Sequence, residues 1–281
     1  ALTRHKPGWI LPAADRLYVR QLADWGVSTY DFILVVNGQT LSRKTLAFLR
    51  ESFPSAKLVL FMWDSIENRR SAVDNLPLFD STFTFDPSDA AKFGMTLRPL
   101  FFSKGFERPP TPQFDYHLSF IGTAHTDRYA VVSGLKRALP DGLTTYWYLY
   151  LQAPWVLQAY RLTNPAMRGA RPDEFEFAPL AKEILQSVFA RSLAILDIEH
   201  PRQRGLTMRT FETMGSHKKL VTTNAGVREY DFYNPANICV IDRGAPVIPP
   251  GFLESGFAPV APSLYARYSI EGWLDETLGL M

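Results

Sequence analysis

The 281-residue chain carries 30 Lys and Arg against 28 Asp and Glu; the net charge of +2 argues against a general nucleic-acid binder and is compatible with phosphate-bearing ligands. A hydrophobic content of 46% with 21% charged residues is a globular balance, and the length suits two domains of about 110 to 170 residues. The single cysteine, Cys239, excludes an internal disulfide framework and a cysteine-cluster zinc site, and no apolar run approaches the length of a membrane span.

Residues 12–25 read as an amphipathic helix, with Leu17, Val19, Leu22 and Trp25 among polar residues. The run YDFILVVNG at 30–38 contains a continuous apolar stretch, the pattern of a strand buried on both faces in a parallel sheet. A helix from Ser42 follows, then a second buried strand at 56–63, a shorter strand at 81–85, a helix opened by Pro87 and a strand near 97–101. This domain opens with a helix where a Rossmann unit usually opens with a strand, so it reads as shortened. The Pro- and charge-rich stretch 103–115 is the expected linker between domains 1–108 and 115–281.

Alternation then resumes. A strand from Tyr116 runs into a small-residue turn at Gly122 and Thr123, and a helix starts near Asp127. Further strands are expected at 144–151, 192–198, 218–224 and 237–241, with helices at 179–190 and 207–214 and a closing helix near 269–279. Residues 163–178 read as a long polar loop, open to movement. Gly215 is placed to end the 207–214 helix as a left-handed cap.

The stretch 205–224 organises the chemistry. Thr207 is a fitting N-cap, Arg209 lies in the first helical turn, and Glu212 one turn later. A cation beside a helix N-terminus suits a phosphate, and a carboxylate a turn deeper suits a sugar diol. The same residues also fit a surface Arg and Glu flanking an ordinary core helix. The turn GTAHTDR offers Gly122 for close backbone approach, the Thr123 hydroxyl, His125 and Arg128, without the full dinucleotide fingerprint or a P-loop lysine. The loop EHPRQR concentrates Glu199, His200, Arg202 and Arg204 ahead of the helix, and Thr222, Thr223 and Asn224 line a strand end or cap the following turn. Asp64, closing the second buried strand, is a candidate general base, with an N-cap role for it or Ser65 competing; Asp86, before Pro87, reads as a cap. Histidine spacing shows no zinc pattern, and no nucleophile elbow is present, so no metal site or bound cofactor is expected.

The runs FIGTAHTDRY, LDIEHPRQRGLTMRTFETMGSHKKLVTTN and YDFYNPANICVIDR resemble bacterial glycosyltransferases of the two-Rossmann-domain GT-B architecture. More narrowly they are similar to the CgeB-like group of capsular, exopolysaccharide and lipopolysaccharide biosynthesis. The resemblance implies an α/β fold of two Rossmann-like domains facing a cleft. It also implies a nucleotide-sugar donor and a glycan or lipid-linked acceptor; with no membrane-length apolar run and no signal-peptide pattern, the chain is expected in the cytoplasm, with peripheral association at the inner face of the membrane as a further option. Glu212 matches the family position that binds the ribose, whereas a second family glutamate eight residues earlier is Arg204 here. With the residue readings above, the expected donor site is Gly122, Thr123, Arg128, Arg204, Thr207, Arg209, Glu212, Thr223 and Asn224, and the catalytic candidates are Asp64 and His125. A nucleotide-sugar epimerase or hydrolase, and a non-catalytic nucleotide-sugar-binding subunit, are the alternative readings.

Overall fold

The computed structural model describes residues 7–24 and 29–280, so Trp25 lies outside the described residues. The chain divides into two compact units.

The first unit comprises residues up to Leu100 together with the segment from Trp273. It opens with α1 (Pro7–Asp24) and alternates through β1 (Phe32–Val36), α2 (Arg43–Ser52), β2 (Lys57–Met62), β3 (Ser81–Thr84), α3 (Pro87–Phe93) and β4 (Thr96–Leu97). Its four strands lie in the order β1-β2-β3-β4, every pair parallel. Leu58 to Met62 are fully buried, which is why β2 needs an unbroken apolar run. Ser42 caps α2 by accepting the Thr45 N–H, and Asp86 caps α3 by accepting from Ser88 and Asp89. The last strand is shorter than expected, because Pro99 has no N–H to extend the ladder. The segment from Trp273 joins this unit through an edge-on contact of Trp273 with Phe61, ring centroids 4.6 Å apart, and a 2.9 Å ion pair of buried Arg98 with Glu276.

The second unit runs from Phe101 to Gly272. Its elements are β5 (Tyr116–Thr123), α4 (Arg128–Ala138), β6 (Thr145–Tyr150), α5 (Pro154–Thr163), α6 (Lys182–Ala190), β7 (Ser192–Asp197), α7 (Met208–Gly215), β8 (Lys219–Thr222), β9 (Ile238–Val240), α8 (Pro262–Arg267) and the start of α9 (Ile270–Leu278). The sheet order is β6-β5-β7-β8-β9, again all parallel. Phe102 and Phe106 anchor the start of this unit: Phe102 packs on Tyr265 and Phe106 edge-on to Phe189. Among the described residues no helix is long and apolar enough to cross a membrane.

Two expectations need correction. The 163–178 stretch is not a loose loop: Met167, Ala170 and Phe175 are buried in the core, and Phe175 stacks on Tyr129 at 5.3 Å. Gly215 is not a left-handed cap either. His217 takes the positive φ of 51° instead, and Lys218 N–H bonds to Thr213 O while His217 N–H bonds to Met214 O, the paired bonds of a Schellman ending. Glycine is needed at 215 for a different reason: a Cβ there would stand 2.6 Å from the ring of fully buried Phe102.

Candidate active site

In the second unit the chain lays β6 on one side of β5, then crosses to build β7, β8 and β9 on the other. At such a reversal the loops leaving the two central strands diverge and open a crevice at the carboxyl ends. Here those loops follow β5 and β7, and side chains tie them together. Arg128 Nε donates to Ile198 O at 2.8 Å, and its Nη1 to Thr123 O at 3.3 Å. Arg209 Nη2 donates to Ile121 O at 3.2 Å. His125 and His200, one from each loop, have ring centroids 6.2 Å apart.

Asp197 ends β7 almost fully buried and accepts the hydroxyls of Thr207 at 2.7 Å and Thr210 at 3.1 Å. Thr207 also accepts the Arg209 N–H at 3.1 Å, so one side chain both caps α7 and pins its N-terminus to the strand end. Burial pushes the Asp197 carboxyl above the ordinary carboxylate range, against the pull of the Thr207 hydroxyl and the Arg209 charge.

The remaining charges are mostly matched. Arg209 pairs with Glu212 at 2.9 Å, its guanidinium 4.9 Å from the Phe189 ring centroid. Burial raises the Glu212 carboxyl, and Arg209 opposes that rise. Arg243 bonds both oxygens of Asp127, at 3.0 and 2.8 Å, and the Glu199 carbonyl at 2.8 Å, and pairs with the buried Glu199 carboxylate. Arg128 differs: its guanidinium is held by two carbonyls and, among the described residues, by no carboxylate at ion-pair distance. Burial depresses its pKa, as an incompletely solvated cation requires. Its guanidinium is thus a fixed, partly desolvated positive charge between the loops that follow β5 and β7.

The other expected residues are placed as follows. Gly122 is the penultimate residue of β5, where a Cβ would come 2.9 Å from the Phe120 ring, and Thr123 supplies its carbonyl to Arg128. Arg204 is exposed in the loop ahead of α7, and its carbonyl accepts from Asn224 Nδ2 at 3.3 Å. Thr223 donates its hydroxyl to Glu199 at 2.5 Å, and Asn224 accepts the Gly226 N–H at 3.0 Å, so it caps the turn 225–229. His125 is half-buried, and burial with the charges of Arg128 and His200 brings its pKa down to about 4. Asp64 belongs to the first unit, where its carboxylate accepts from Ser65 N–H and Asn68 Nδ2, both at 2.9 Å, and pairs with Arg69 at 3.0 Å. Ser65, not Asp64, is the cap of the following turn.

Sequence reasoning did not single out Asp197 or Arg243. A usable signal existed, since each is an ionisable residue just beyond or at the end of an apolar strand run (SLAILD, NICVIDR). Among the described residues no three His, Cys, Asp or Glu gather as a metal-holding group.

No protein-family model matches the chain, and no curated protein matches it. Solved structures do. HepE (Alr3699) of Anabaena, in complex with UDP and glucose, is similar at 15% identity over 94% of this chain and 81% of that one, with a TM-score of 0.61. The same protein with UDP-glucose gives 13% identity, coverage of 94% and 80%, and a TM-score of 0.59. A UDP-forming α,α-trehalose-phosphate synthase of Burkholderia vietnamiensis is similar at 14% identity over 96% of this chain and 75% of that one, with a TM-score of 0.55. Likeness at these identities is likeness of fold: an α/β chain with two parallel sheets, in the GT-B-like class.

Proposed function

We propose that the chain is a glycosyltransferase that moves a sugar from a nucleotide-diphosphate donor to a hydroxyl of a glycan or lipid-linked acceptor. The observation carrying this reading is Arg128, a partly buried cation without a carboxylate partner at the crevice where β5 and β7 diverge. HepE is solved with UDP and UDP-glucose, and the trehalose-phosphate synthase is UDP-forming, so a UDP-linked sugar is the donor to try first.

In this reading the diphosphate lies against Arg128, the backbone at Gly122 and Thr123, and the α7 N-terminus capped by Thr207, with Arg204 as a second cation. Glu212 accepts the ribose hydroxyls, and Arg209 holds it in place. Thr223 and Asn224 support the crevice wall through Glu199 and the turn at 225. The bond from sugar C1 to the phosphate oxygen breaks, the leaving diphosphate keeps the electron pair, and the acceptor oxygen bonds to C1 as its proton passes to a base. His125, on the loop that follows β5 and neutral at physiological pH, is the group proposed to accept that proton. Surface-polysaccharide assembly is the setting that the sequence resemblance supports.

The test is a thermal-shift series with UDP, UDP-glucose and other nucleoside diphosphates, repeated on Arg128→Met. A ligand that binds the folded chain raises its melting temperature. UDP or a relative is expected to raise it in the parent and far less in the variant. A flat response to every nucleotide would remove the reading.

A further inference from the structure

The second sheet has another edge. His117, Ser192 and Lys218 stand at the amino ends of β5, β7 and β8, and with the 110–114 and 253–257 stretches they line a cavity of about 690 Å³. Along β5, at about 3.3 Å per residue, this edge lies roughly 23 Å from the crevice at Thr123.

Two adjacent lysines enter β8 and meet different fates. Lys219 is satisfied: its Nζ donates to Phe252 O at 2.6 Å and to Ser255 Oγ at 2.5 Å, 4.4 Å from the Phe252 ring centroid. Lys218 is 5% exposed and lines the cavity; among the described residues no hydrogen bond or ion pair engages its ammonium, which keeps access to solvent. Burial alone pushes its pKa down. A largely desolvated cation without a partner gains from an anion of the right size.

Around it the polar groups are already oriented. His217 Nδ1–H donates to Arg108 O at 2.8 Å while its ring stacks on Tyr265, which leaves Nε2 as an acceptor. His117 Nδ1 accepts the Thr144 N–H at 3.1 Å, so in the neutral ring Nε2 carries the proton and donates. Leu193, Phe114 and Phe257 supply apolar wall, and Glu254 is exposed at the rim. A cavity of this volume, mostly apolar with a few fixed polar groups, has the make-up of a small-molecule site.

We propose that this cavity binds a small organic anion, its carboxylate or phosphate on Lys218 and its apolar body against Phe114, Leu193 and Phe257. The site is distinct from the nucleotide-sugar crevice and does not depend on that reading.

The probes are benzoate and phenyl phosphate, with benzyl alcohol as the uncharged control, titrated by calorimetry into the whole chain. At least one anion is expected to bind, benzoate or phenyl phosphate according to the charged group preferred, and benzyl alcohol about 10- to 100-fold more weakly. Lys218→Met keeps the stem and removes the charge, and should lose that preference. Should Lys218→Met fail to fold, Gly256→Trp blocks the cavity from a position where a Cβ meets nothing within 4 Å. It should abolish binding while leaving Lys218 intact. Independently, the bound anion should protect Lys218, and not exposed lysines, from acetylation read by mass spectrometry. Binding of neither anion, equal binding of benzyl alcohol, or binding unchanged in Gly256→Trp with Lys218 unprotected would overturn the site.

Discussion

Arg209 and Glu212 are bonded to each other across one turn of α7, Nη1 to Oε2 at 2.9 Å, and Arg209 is fixed a second time by the Ile121 carbonyl. The carboxylate proposed for the ribose is therefore held by α7 and, through Arg209, by β5. Glu212→Ala should weaken UDP binding by about 1 to 3 kcal/mol, the range for a lost charged hydrogen bond. Folding stability should move by no more than about 1 to 2 kcal/mol, because Arg209 keeps Ile121 and Phe189. Calorimetry on the folded variant decides: unchanged UDP affinity takes Glu212 out of the site.

His125 gives a pH prediction. Its folded-state pKa of about 4 lies below the ordinary 6.5. The unfolded chain takes up this proton near pH 6.5 and the native chain only near pH 4. The stabilisation is thus present above pH 6.5 and is lost as pH falls through that window. His125→Gln should show a shallower fall in melting temperature between pH 6.5 and 4. Two-dimensional NMR of the imidazole should place the midpoint near 4; a midpoint above 6 would refute the assigned environment.

Gly215→Ala should destabilise the second unit by about 1 to 3 kcal/mol, the cost of overpacking, since Phe102 has no room to yield. Gly169→Ala is the control, as its Cβ meets nothing within 4 Å. Equal melting temperatures for the two variants would mean that the close approach of Phe102 is not what requires the glycine.

Limited digestion with proteinase K should cut first within 107–115, where every residue is exposed. The 163–178 stretch should resist, because Met167 and Phe175 are core residues. Early fragments ending between 163 and 178 would count against the packing described for that stretch.

These cases show what the amino-acid order reveals. The run Leu58–Met62 announces β2 because a strand buried on both faces tolerates nothing polar. Thr207, Arg209 and Glu212 were readable because their helix is local in sequence. The 163–178 stretch was not readable, since Met167, Ala170 and Phe175 reach the core at irregular spacings between Pro, Arg and Asp. Nor was the Arg243–Asp127 lock, whose partners are 116 residues apart. Gly215 was correctly marked as special for the wrong reason, because the ring that forbids a side chain there belongs to Phe102, far back in the chain.

The first unit closes with chain that the ribosome delivers after the second unit. Phe61 and Arg98 are made early, but Trp273 and Glu276 arrive only after the whole second unit has been synthesised. At about 5 to 20 residues per second that interval is roughly 10 to 30 seconds. The order of maturation should therefore be reversed relative to the order of synthesis, the second unit becoming protease-resistant first. Until then an apolar face of β2 is without its cover, which makes the nascent first unit the stage most dependent on chaperones. Chains truncated after Gly272 and released from the ribosome should show a resistant second unit attached to a digestible first.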